Sequence, residues 1–103
     1  MKRAEILKQA EQITTADREQ QYGDPEDNFT AIAKMWSGYL ECPVTPADVA
    51  AMMILLKVAR IASGQTVADN WVDIAGYAAC GGEIQTRKQG AGVVDPGEMT
   101  WTE

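Results

Sequence analysis

Apolar residues recur at helical spacing in four stretches of this chain, and most of these stretches open or close on a recognisable signal. In the first, Ile6, Leu7, Ala10 and Ile13 make one stripe of a helix predicted from Lys2 to about Gln20, with Thr14 and Thr15 as a point to kink or restart. The segment Tyr22-Gly23-Asp24-Pro25-Glu26-Asp27 is a break followed by a start. Asp24 is a good N-cap, Pro25 suits the first helical position, and acids follow in the first turn. The second helix then runs to about Leu40, with Phe29, Ile32, Ala33, Trp36 and Leu40 on one face.

Thr45, Pro46 and Asp48 form the third start, in a capping-box pattern, and Gly64 is a typical stop. Between them the sequence is apolar almost all the way round, which predicts a central helix covered on several sides or by a second protomer. Lys57 and Arg60 inside it, and its modest length, argue against a membrane span. The fourth helix is expected from about Asp69 to Lys88, ending near Gly90. Trp71, Ile74, Ala75 and Ala78 are its predicted greasy face, and Met35, Met52 and Met53 read as core filler. Gly76, Gly81 and Gly82 keep this helix thin; each costs about 1 kcal/mol against alanine, so another backbone or a ligand is expected to come close. The fold expected is an all-α, antiparallel, four-helix bundle-like domain over residues 1–89. An irregular tail, 90–103, is expected after it, docked by Trp101 on the body or on a neighbouring chain, or else loose.

The connection Gly64-Gln65-Thr66-Val67 is short, and short connections make antiparallel neighbours. Residues of the third and fourth helices whose numbers sum to about 130 then share a level. Lys57 lies opposite Asp73, and Arg60 opposite Asn70 and Asp69. Lys57 and Arg60 share one face, and Asp69, Asp73 and Tyr77, spaced by four, share another. Four charges are thus expected along one seam. The plain reading is a set of interhelical salt bridges. The functional one is that the cations meet a phosphate while the carboxylates orient them or hold Mg²⁺. A cation inside an apolar helix is expensive unless something pairs it, which favours the second. Arg18 and Tyr22, leading into Gly23, are candidates for the mouth of the same pocket, or else pack the end of the first helix.

Composition narrows the chemistry. The chain has 103 residues, a one-domain size, and carries a net charge of −6. That balance argues against polymeric nucleic acid, whose phosphates demand a basic face, but not against a local pocket for a small anion. There is no histidine, which removes imidazole metal sites and His-based catalytic dyads and triads. Any metal would be a hard cation on oxygen ligands, with Asp69 and Asp73 the candidates. Asp24, Glu26 and Asp27 read as helix-start acids before metal ligands. Trp36 and Trp71 read as core before base-stacking platforms. Cys42 and Cys80 read as reduced thiols; Cys80 shares a face with Asp73 and Tyr77 but lacks a base to activate it. The N-terminus is amphipathic without the apolar core of a signal peptide, so a cytoplasmic setting is expected, with no membrane partner. A homo-oligomer, by default a dimer, is expected from the apolar surplus of the third helix.

The strings YGDPEDNFTAIAKMW, TPADVAAMMILLKVARI and DNWVDIAGYAACGGEI resemble a small domain common in phages and prophages, over about residues 18–85. Their order is similar, more distantly, to phage nucleotide-modification-associated proteins and to MazG-like all-α nucleotide pyrophosphohydrolases. That resemblance implies a phosphorylated nucleotide as ligand, in the host cytoplasm. MazG-like enzymes hold Mg²⁺ on acid pairs from two helices. Here Asp69 and Asp73 are spaced by four rather than three, and the third helix carries Lys57 and Arg60 where acids belong, with only Asp48 elsewhere. The departure favours binding over hydrolysis, with no cofactor, or Mg²⁺ if the chain is an enzyme. A small oligomeric phage protein with such a pocket suits sequestration of a nucleotide immune signal. The alternatives are a Mg²⁺-dependent MazG-like pyrophosphohydrolase and a helical protein-interaction module with no ligand.

Overall fold

The computed structural model describes residues 1–15 and 24–88, and among them every regular element is a helix. These are α1 (Arg3–Thr14), α2 (Pro25–Leu40), α3 (Pro46–Ala62) and α4 (Ala68–Lys88). Arg18, Tyr22, Gly23 and the tail with Trp101 lie outside the described residues.

The starts and stops follow from local chemistry. At α2 the Asp24 carboxylate accepts from the Glu26 amide at 3.0 Å, and Pro25 fills the first position, where no amide is needed. At α3 the capping box is closed both ways: the Asp48 amide donates to Thr45 Oγ1 at 3.1 Å and the Thr45 amide to Asp48 Oδ2 at 2.9 Å. α3 ends on Gly64 at φ +103°, with the Gly64 amide on the Ile61 carbonyl and the Gln65 amide on the Arg60 carbonyl. This is the paired closure that a left-handed glycine makes cheap. Between α2 and α3, Ser37 Oγ accepts from the Val44 amide at 2.9 Å and donates to its carbonyl, pinning the turn.

The first helix holds its whole apolar stripe and breaks at the two threonines, the point expected to kink or restart it. Thr14 Oγ1 turns back onto the Ala10 carbonyl and Thr15 Oγ1 onto the Glu11 carbonyl. The backbone is extended at Thr15, and the stretch towards Gln20 lies outside the described residues. Hydroxyls that bond their own helix compete with its ladder, which accounts for the break.

The central element is α4, not α3. α4 packs against α1, α3 and α2, whereas α3 leans on α4 and α2. The core joins Phe29 and Ala33 of α2, Val49 and Ala50 of α3 and Ile84 of α4, with Ile32, Trp36, Met53 and Tyr77 packed around it. The glycines of α4 divide the work. A Cβ at Gly81 would lie 2.8 Å from Ala50 Cβ of α3, and one at Gly76 would lie 3.2 Å from Thr14 Cγ2 of α1; Gly82 faces open space. Two of the three therefore admit a neighbouring helix.

Several predicted core positions are outside. Trp71 and Ala78 are exposed, and α4 buries Asn70, Val72, Gly76 and Ile84 instead. Met35, Met52 and Leu40 are also exposed, and Leu55 of α3 is 65% exposed. α3 and α4 are apolar over more than one face, so periodicity alone does not say which face turns inward.

Candidate functional site

The α3–α4 hairpin forms in the expected register: Ala50 meets Gly81 near one end and Lys57 meets Asp73 in the middle. Lys57 Nζ lies 2.9 Å from Asp73 Oδ2, with the lysine side chain 12% exposed and the aspartate 32%. The aliphatic stem is thus covered and the charged end pairs at the edge of the helix contact. Tyr77, one turn beyond Asp73, is half-buried, and its ring is tilted against Phe29 with centroids 6.3 Å apart. It is part of the α2–α4 packing as well as a neighbour of the pair.

The rest of the predicted seam does not close. Arg60 and Asp69 are both exposed, and among the described residues they form no ion pair. Asn70 takes the inward place at that level, buried, with its Nδ2 donating to Gln65 Oε1 at 3.2 Å. The reason is helical geometry. Asn70 and Asp69, three and four before Asp73, flank its face on opposite sides, and the flank that carries Asn70 is the one turned inward. One ion pair capped by an amide pair replaces the expected four-charge line. Arg60 is left at the rim with its guanidinium in solvent.

Among the described residues no three acids or thiols converge as a metal site. Asp73 faces a lysine, so Asp69 and Asp73 are not arranged as a carboxylate pair around a cation. Cys42 and Cys80 are not joined by a disulfide; Cys42 is exposed and Cys80 half-buried.

A second charged group was not anticipated. Arg87 near the end of α4 reaches Asp24 at 3.2 Å and Glu26 at 3.4 Å, at the start of α2, and also pairs with Glu83 on its own helix. Asp24 and Glu26 are helix-start acids as expected, and they also tie α2 to α4. The Glu26 amide holds the Asp24 carboxyl below its ordinary pKa of 3.8; burial opposes it, and the Arg87 charge adds to the lowering. Glu83 and Arg87 at i,i+4 were the legible part of this group. These side chains are largely open to water, so the cluster positions the helix start more than it stabilises it.

A cleft of about 300 Å³ opens between α1 and α4 near the start of α2. Leu7, Ala10, Ala75 and Ala79 make it largely apolar, and Glu11 and Glu83 are its charged members. Lys57, Arg60 and Asp73 do not line it. Its acidic edge is a poor match for a phosphate.

These elements define a small all-α domain, and among the described residues no helix is long and apolar enough to cross a membrane. The chain belongs to the family described as Domain of unknown function (DUF6378), which matches residues 5–85. It is 43% identical over 75 residues to the Gene 55 protein of Mycobacterium phage D29, covering 73% of this chain and 50% of that protein. It is 49% identical over 74 residues to the Gene 55 protein of Mycobacterium phage L5, covering 71% of this chain and 47% of that protein. The chain spans about half the length of these curated relatives. The resemblance to a small phage domain is thereby established. No solved structure matches.

Proposed function

We propose that this phage-type domain binds a phosphorylated nucleotide on the open side of the α3–α4 hairpin, without turning it over. The observation that carries the reading is the state of the two cations. Lys57 is held in an otherwise apolar helix with Asp73 as its ion-pair partner among the described residues. An ammonium has three donors and one carboxylate oxygen takes one of them. Arg60, one turn further on, presents a guanidinium whose fork suits a phosphate. Asp73 fixes the lysine, and Arg60 supplies the uncommitted charge at the rim.

The hydrolytic alternative, a Mg²⁺-dependent pyrophosphohydrolase of MazG-like type, needs Asp69 and Asp73 for the metal. Asp73 is already neutralised by Lys57, which favours binding over cleavage. Sequestration of a nucleotide-type immune signal is the role that a binding site without turnover would serve in a phage.

A thermal-shift screen over nucleoside triphosphates, cyclic dinucleotides and ADP-ribose, each with and without Mg²⁺, tests the proposal. A ligand that binds only the native state must raise the melting temperature. The expected result is a Mg²⁺-independent shift, lost in Arg60→Ala, with the nucleotide recovered intact by mass spectrometry. No shift with any nucleotide would leave a helical interaction module, and release of pyrophosphate would establish the hydrolase.

A further inference from the structure

The outward face of α3 carries a pattern that its own fold leaves unused. Asp48, Ala51, Leu55, Val58 and Ala62 follow one another at alternating steps of three and four, the a/d spacing of a helix-packing seam. All five are exposed, although Lys57, Met53 and Ala50 on the opposite side face α4 and the core. Met52 and Ala59 widen the same stripe. A sustained apolar seam pointing at water is built for another helix.

We infer that the occupant is α3 of a second copy, packed antiparallel about a two-fold axis. In that register Leu55 stands opposite Val58 of the second copy and Ala51 opposite Ala62, with Asp48 level with the turn that closes α3. Large meets large at the centre, and alanines flank it so that the backbones approach closely. The pattern is self-complementary, as a two-fold interface requires. Charge points the same way. The chain carries a net charge of −6, yet Asp48, at the start of the helix, is the seam's one acid, so no like charges meet along the Ala51–Ala62 stretch. Two copies of the stripe together hide on the order of 1,000 Å², the lower bound of a specific interface, so the dimer is a concentration-dependent one.

Sedimentation of the full chain from low-micromolar to hundred-micromolar concentration tests this. The mass is expected to rise from 11.2 kDa towards twice that value. Leu55→Glu is expected to stay monomeric at every concentration with unchanged helicity, because Leu55 already faces solvent in the single chain. The register has its own test, in a background with Cys42→Ser and Cys80→Ala. An oxidised mixture of Ala51→Cys and Ala62→Cys chains is expected to form a mixed disulfide dimer. Ala51→Cys alone is not, since its two copies lie about 16 Å apart along the axis and a disulfide needs roughly 7 Å or less between Cα atoms. A wild-type chain that stays monomeric throughout, or a Leu55→Glu chain that still dimerises, overturns the interface. Preferential cross-linking of Ala51→Cys to itself overturns the antiparallel register.

Discussion

Replacing Gly81 by alanine probes the closest approach between α3 and α4. Two effects compete. Alanine is better than glycine in a helix interior by about 1 kcal/mol. Against that, the new methyl would sit 2.8 Å from Ala50 Cβ, where carbon atoms prefer about 3.5–4.0 Å. Relief therefore needs the helices to part by roughly 1 Å. Ala50 is buried and has no flexible end to swing aside, so the displacement passes to Val49, Phe29 and Ile84 in the core. Overpacking of this kind costs about 1–3 kcal/mol, which leaves Gly81→Ala between neutral and about 2 kcal/mol destabilised. The next residue supplies the control. A Cβ at Gly82 meets nothing within 4 Å, so Gly82→Ala keeps the propensity gain of about 1 kcal/mol. Urea denaturation by linear extrapolation is the assay, with equal m-values required before midpoints are compared. In a domain this small each kcal/mol moves the melting temperature by about 4–8 °C, so a thermal melt separates the two as well. Adding Ala50→Gly should cost less beside Gly81→Ala than alone, a coupling that a double-mutant cycle measures. A Gly81→Ala protein as stable as Gly82→Ala would refute the steric argument.

Two further outcomes follow from the charged groups. Lys57→Met should change stability by less than about 1 kcal/mol, because Asp73 is open enough to hydrate. Asp73→Ala strands a mostly covered ammonium and should cost about 1–3 kcal/mol; equal effects on the urea midpoint would contradict this. The Asp24 carboxyl is easier to ionise in the folded chain than its ordinary value of 3.8, so on acidification the unfolded chain takes up its proton first. Its contribution is present above that value and is lost as the pH falls through the lower folded one. Asp24→Asn keeps a cap and removes the charge, so its stability-against-pH curve should be flatter there than that of the parent; parallel curves would count against the assignment.

Much of the fold was legible because its boundaries are local. Asp24-Pro25, Thr45-Pro46 with Asp48, and Gly64 each set a helix end with side chains no more than a few residues away. The short turn then fixed the α3–α4 register, and with it the Lys57–Asp73 pair. What could not be read was which face of an all-round apolar helix its own chain covers. Leu55 and Val49 are equally hydrophobic signals in the sequence, yet one is open to water and the other is sealed. The glycines pointed to a close approach but not to which helix arrives, and Gly82 has none. Arg87 escaped notice because two of its partners are more than sixty residues away in sequence, where spacing carries no information. At Arg60 the error was one of rotation, since equal level along two rods does not put two side chains on the same side.

α1 rests chiefly on α4, and the apolar cleft runs along that one contact. Among the described residues α1 is held mainly on that side, so it can lift away while α2, α3 and α4 keep their shared core, at less cost than unfolding the whole. The chain then behaves as a three-helix unit with a detachable flap, and whatever widens the cleft acts on that flap alone.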